Sequence, residues 1–307
     1  SLSLPTTLEY IGGGGAVDIG GAFDGCHFNC ELKLPNNLKY IGHNVFASNP
    51  GYYGNLVLPD KLEYIGDGAF CNDNNLTGSL KIPQGVKTIN QNAFGGTGFN
   101  GTLQLHDGIT SINQGAFNNV PLKGELTLPK NLTSVGENAF AGCSGLTSVN
   151  ILCDVGLLPE GAFADCANLT EATVAAGSIP ARLFEGSALA SLNMGEGVTE
   201  IGSRAFAGTS LSEFVIPANI PVNGEALEGI ELSNIRLSAD ATDEQVAEWS
   251  AALNYPWYDR ICRVGEESML VKMPYEPLPE DNFEFDEESR TITAYVGTAV
   301  DVIIPRT

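Results

Sequence analysis

Residues 126–140 read Leu126-Thr127-Leu128-Pro129-Lys130-Asn131-Leu132-Thr133-Ser134-Val135-Gly136-Glu137-Asn138-Ala139-Phe140. Two leucines flank one polar residue and a proline follows. The Leu-x-Leu alternation has the period of a strand that buries one face. Proline has no N–H to donate to a ladder, so it ends the strand. The next aliphatics, Leu132 and Val135, are three residues apart, and Ala139-Phe140 closes the unit.

The same unit recurs on both sides. Its phenylalanine returns at Phe23, Phe46, Phe70, Phe94, Phe117, Phe140, Phe163, Phe184 and Phe206, and Leu227 takes the place next. Five residues earlier stands an aliphatic such as Ile41, Ile65, Ile89, Ile112, Val135, Ile179, Ile201 or Val222, often before glycine. Upstream lie Leu32-Lys33-Leu34-Pro35, Leu56-Val57-Leu58-Pro59 and Leu80-Lys81-Ile82-Pro83. A repeat of roughly 23 residues predicts a solenoid, because one coil cannot bury its own apolar face and a stack of coils can. The expectation is a β-rich, right-handed leucine-rich-repeat superhelix of about ten coils over residues 1–237, with no regular helix inside a coil. Gly12-Gly13-Gly14-Gly15 stretches the first coil. Val149–Phe163 and Ala172–Phe184 lose the Leu-Pro pair.

Beyond the repeats, residues 238–264 read as a cap. Thr242-Asp243-Glu244-Gln245 has the form of a capping box, and Val246, Trp249 and Leu253 share one helical face. Residues 265–282, with Pro274, Pro277 and Pro279, read as a linker. Residues 283–307 alternate again, which predicts the start of a second, truncated repeat segment and hence a longer native protein.

The Leu-Pro, Ile-Gly and Ala-Phe pairs together resemble the BspA-like leucine-rich repeats of bacterial surface antigens, over residues 2 to about 237. In that family, endings like Pro256-Trp257-Tyr258 close the array. The resemblance implies an exported chain, at the cell surface or secreted, that adheres to host proteins or other cells.

The chain has 307 residues, 15 basic and 37 acidic, for a net charge of −22. Such a surface repels nucleic acid, whose binding needs clustered Lys and Arg. No stretch of 18 apolar residues is present, so no direct membrane insertion is expected. No Gly-x-x-x-x-Gly-Lys, His-Glu-x-x-His or EF-hand pattern occurs. The three histidines, His27, His43 and His106, fall in different coils. The reading is a non-catalytic chain without cofactor or metal. Seven cysteines do not pair evenly, and Cys26, Cys143 and Cys166, each three residues after a phenylalanine, read as small buried residues of one column.

The binding candidates are the outward strand positions Glu31, Lys33, Lys81, Gln104, Glu125, Thr127, Asn150, Glu171, Thr173, Asn193, Glu213 and Arg236. They are polar and mixed in charge, and the absence of an aromatic there argues against sugar stacking. A second candidate is an aromatic patch of Tyr10, Tyr40 and Tyr64, expected to stack, with Tyr52 and Tyr53 nearby. The expected partner is a protein, such as a host extracellular matrix or cell-surface protein, ahead of a glycan. The rival reading is a structural spacer that projects another domain.

Overall fold

A computed structural model describes residues 2–12, 21–211, 214–221, 223–230, 235–253 and 261–266, and the backbone of 283–286 and 291–295. The phenylalanines build its axis. Rings of Phe23, Phe46, Phe70, Phe94, Phe117, Phe140, Phe163, Phe184 and Phe206 stack in one file, with neighbouring centroids 5.4 to 5.9 Å apart and planes within 15°. Phe214 meets Phe206 at 53° and ends the file. Stacked aromatic pairs contribute about 0.5–1.5 kcal/mol each beyond their burial.

The backbone around each phenylalanine ties it to the next coil. Phe46 N–H donates to the Ala69 carbonyl at 2.9 Å, Phe70 to Ala93, Phe94 to Ala116 and Phe117 to Ala139. The residues two before and two after each of the nine phenylalanines have φ between 51° and 74°. This left-handed region favours Gly, Asn and Asp, and they fill most of these places: Gly115 and Asn119 around Phe117, Asn138 and Gly142 around Phe140. An asparagine in one coil overhangs a glycine in the next. A Cβ on Gly115 would lie 2.1 Å from Asn92 Oδ1, and one on Gly142 would lie 2.4 Å from Asn119 Oδ1.

Strands form on two sides of each coil, and the repeats pair in parallel. The Leu-x-Leu side pairs Leu80↔Leu103, then Leu126↔Val149↔Ala172↔Leu192, then Phe214↔Ile235. The other side pairs Tyr10↔Tyr40↔Tyr64 and Thr88↔Ser111↔Ser134 as strands of two residues. This second ladder was not foreseen as strand, because two residues are too short for a visible alternation. Where the Leu-Pro pair is lost the strands lengthen, and in two coils they reach Ile179 and Ile201 and fuse the two sides, whereas Gly145–Asp154 stops at the short 3-10 turn Val155–Leu157. Gly145–Asp154, Glu171–Ile179 and Ser191–Ile201 run for 10, 9 and 11 residues. Without proline, each N–H stays available to the ladder.

Between the two sides lies one continuous core running from Ile11 to Ile261. The helix Asp243–Ala252 covers its C-terminal end, as expected. Thr242 and Gln245 form the capping box, and Val246, Trp249 and Leu253 are buried. The chain then returns to the sheet as Cys262–Arg263, paired with Ile235–Leu237. The Arg263 guanidinium bonds to Ala241 O, Asp243 and Glu266, fixing the helix start to that strand. Segments Phe283–Asp286 and Thr291–Tyr295 pair antiparallel, the opposite sense to the coils. Gly13–Gly15, Val222, Pro256-Trp257-Tyr258 and the prolines of the linker lie outside the described residues.

Candidate functional site

On the Leu-x-Leu side the expected positions fall into rows. Glu125, Ser148, Glu171 and Ser191 are in register across four strands, and so are Thr127, Asn150, Thr173 and Asn193. Lys81 pairs with Gln104, and Arg236 with Val215. Thr127, Asn150, Thr173 and Arg236 are half-buried by their neighbours, while Glu31, Lys33, Lys81, Gln104, Glu125, Glu171 and Asn193 are exposed. Lys33 pairs with Glu31 at 3.1 Å, and Thr127 donates to Glu125 at 3.2 Å. Glu213 lies outside the described residues. The same face carries exposed apolar residues that the sequence reading passed over, among them Val57 at 69% and Val215 at 43% exposure.

The five tyrosines do not form one patch. Tyr40 and Tyr64 do stack, 4.6 Å apart and within 7° of parallel, while Tyr10 meets Tyr40 at 6.2 Å with its ring tilted by 39°. Tyr52 is instead fully buried, its ring packed on Phe28 and Phe46. Tyr53, its strand neighbour, points to the opposite face and is exposed beside Glu31 in the other ladder. Side chains alternate along a strand, so adjacent tyrosines could not share a face.

The stacked tyrosines lead into a groove of about 430 Å³. Tyr64 forms its wall, its hydroxyl 3.2 Å from His43 Nε2, while His43 Nδ1 lies 3.1 Å from Asp67 Oδ2. Beyond Tyr64 the tyrosine position becomes Thr88, Ser111 and Ser134, and the glycine after isoleucine becomes Asn90 and Asn113. Asn90 Nδ2 donates to Ile65 O at 2.7 Å, and Asn113 Nδ2 to Asn90 Oδ1 at 3.3 Å. Ser111 Oγ bonds Asn113 Oδ1 and Ser134 Oγ. Gln91 and Gln114 stand exposed at the rim. The sequence signal was present: Ile89-Asn90-Gln91 and Ile112-Asn113-Gln114 repeat one dipeptide at one register in successive coils.

A second groove, about 410 Å³, holds alternating charges. Arg204 bonds both Glu185 and Glu228, and Arg182 bonds Glu185. The two arginines hold the Glu185 carboxyl below its usual range, Arg204 contributing most.

Inside, the position three after the phenylalanine forms a column that is polar in most coils and apolar at Val120. It holds Asn49, Asp73, Thr97, Ser187 and Thr209, the buried polar residues of the core. All but Ser187 use their side chains to bond the turns. Thr97 and Thr209 donate to Phe94 O and Phe206 O, and Asn49 Nδ2 bonds Phe23 O, Phe46 O and Ala47 O. Cys143 and Cys166 occupy the same column, buried as expected. Cys26 is exposed instead, because it heads the column with no phenylalanine-bearing coil before it. Burial pushes the Cys143 thiol up and that of Cys166 up to about 11, so neither is poised as a nucleophile or ligand. Among the described residues no group of three or more His, Cys, Asp and Glu is placed to hold a metal ion, and no helix is long and apolar enough to cross a membrane.

Solved structures of similar chains include a leucine-rich repeat protein from Bacteroides ovatus, 20% identical, with a TM-score of 0.49, covering 76% of this chain and 70% of that one. A leucine-rich repeat protein from Eubacterium ventriosum is 22% identical, with a TM-score of 0.44 and coverage of 65% and 64%. A leucine rich cell surface protein from Faecalibacterium prausnitzii is 17% identical, with a TM-score of 0.30 and coverage of 68% and 84%. No curated protein matches. The family model described as a BspA type leucine rich repeat region of six copies matches residues 1–123, 52–170 and 110–234 in overlapping spans. Those spans take in the whole file of stacked phenylalanines, and the chain belongs to the BspA-type leucine-rich-repeat family.

Proposed function

We propose that the chain is a non-catalytic adhesion module, displayed at the bacterial surface or secreted, that holds a protein ligand on the outer face of the Leu-x-Leu ladder. The observation that supports this most is the pair of in-register rows, Glu125 to Ser191 and Thr127 to Asn193, on a four-stranded parallel sheet. An open sheet face with polar groups in register and isolated apolar residues, here Val57 and Val215, suits a protein surface better than a small molecule, which binds in an enclosed, apolar pocket. The histidine beside a carboxylate, His43, has both ring nitrogens engaged, by Tyr64 and Asp67. That suits a structural role better than proton transfer.

The test reverses charge on this face. Glu125→Lys, Lys81→Glu and Arg236→Glu are combined, and capture of fibronectin, fibrinogen, laminin and collagen is measured by surface plasmon resonance. The reading expects saturable binding to at least one of these, weakened about tenfold or more in the triple variant, or about 1.4 kcal/mol. Absence of saturable binding to any of them would favour the spacer reading.

A further inference from the structure

We propose that the groove walled by Tyr64 is a binding site for a neutral, linear polysaccharide. It lies on a different face from the adhesion surface and rests on different residues, so failure of one reading leaves the other standing.

The chemistry of the walls points to hydroxyl groups. Asn90, Gln91, Asn113 and Gln114 offer amides, and each amide carries donors and an acceptor side by side. Neighbouring hydroxyls of a sugar ring present the same mixture. The Asn90 and Asn113 amides are already aligned, each donating one bond along the stack and accepting one at its Oδ1, and each keeps a second Nδ2 hydrogen and a second Oδ1 lone pair for a ligand. Tyr64 supplies a ring, held against Tyr40 at 4.6 Å, with its hydroxyl tied to His43. Such a ring packs on the C–H face of a sugar while the amides take its edge.

The geometry favours an extended chain. The Asn-Gln pair repeats from one coil to the next, and stacked coils advance by about 4.8 Å. Each pyranose unit of an extended glycan advances by about one such step, so successive units meet successive pairs. The groove is shallow and open along the stack and crosses from His43 to Gly136.

Other ligand classes fit less well. An added peptide strand needs an unpaired edge, but the strands beneath the groove, Thr88–Ile89, Ser111–Ile112 and Ser134–Val135, are paired with each other. A docking helix or side-chain anchor needs an apolar pocket, and this groove is lined mainly by polar side chains. An anionic glycan would need cations, yet the groove contains no Lys or Arg, and the chain carries a net charge of −22.

The test is isothermal titration calorimetry of the full chain with cellohexaose, xylohexaose, mannohexaose and maltohexaose, and with heparin as the anionic probe. At least one neutral hexaose binds. Gln91→Ala with Gln114→Ala weakens it by about tenfold, and Glu125→Lys leaves it unchanged. Both glutamines are exposed, and their side chains enter none of the hydrogen bonds described above, so the melting temperature stays at the parent value. If the double variant does not fold, Ser134→Trp, at another exposed position, fills the groove and abolishes binding. The proposal fails if no neutral hexaose binds, if binding survives both the double variant and the filled groove, or if heparin is the ligand these variants lose.

Discussion

The turn that carries the phenylalanines and the two strand faces come from the same repeat, yet they vary in opposite ways. In the turn, nine rings keep one spacing, and the positions on either side keep left-handed φ through every one of those coils. On the faces, equivalent outward positions change freely. One row passes from Lys33 through Val57, Lys81 and Gln104 to Thr127, and another from Tyr64 through Thr88 to Ser111 and Ser134. The turn is bound to the coil before and the coil after through ring contact, backbone bonds and close Asn-over-Gly approach. An outward side chain meets only its neighbours on the face. Packing therefore dictates sequence in the turn and leaves the faces open to selection for binding.

The sharpest way to break this contrast is to remove matched groups from each region. Phe117 is fully buried between rings 5.5 and 5.6 Å away. Phe117→Ala is expected to cost about 3–5 kcal/mol by loss of transfer energy and formation of a cavity. Val57→Ala, at 69% exposure, is expected to change stability by less than about 0.5 kcal/mol. Urea unfolding measures both, and equal losses would refute the division.

Next in size is the backbone. Gly115 has φ 62°, and a Cβ there would meet Asn92 Oδ1 at 2.1 Å. Gly115→Ala is expected to cost about 1–3 kcal/mol, combining left-handed strain with the clash. Adding Asn92→Gly removes the clash but not the strain, so it should recover only part of the loss. Full recovery, or none, in the thermal midpoint would show that one of the two causes is wrong.

The turn was also where the sequence was most legible. A phenylalanine every 21 to 24 residues, usually after alanine, marks the axis directly, and Val246, Trp249 and Leu253 mark the cap. The flanking Gly and Asn positions were equally visible but need the φ values to be understood. The faces were harder. Strands of two residues leave no period to detect, so the tyrosine-side ladder went unseen and Tyr52 was grouped with tyrosines from which the pleat separates it. The amide groove depends on which coils come to lie side by side. Only the repeated Asn-Gln dipeptide hinted at it, and its meaning needed the register. The polar column was partly legible, since its cysteines share a position, but Asp73 could not be foreseen as buried.

Asp73 gives the smallest and most specific effect, because among the described residues it is the one buried carboxyl. Burial pushes it up to about 8, and the nearby Asp24 adds to the rise, while the bond from Asn49 N–H at 2.8 Å pulls the other way. In the unfolded chain it titrates near the ordinary carboxylate value of about 4. Between these two values the folded state holds a proton that the unfolded chain has released. Stability from this group is therefore full below about pH 4 and is lost progressively as pH rises toward about 8. Asp73→Asn keeps the acceptor for Asn49 N–H and removes the titration. Its gain over the parent should be small near pH 4 and largest above pH 8. Urea midpoints for the two proteins at pH 5, 7 and 9 measure the difference. Parallel curves would show that Asp73 is not desolvated in the fold and that the column tolerates charge as readily as the faces do.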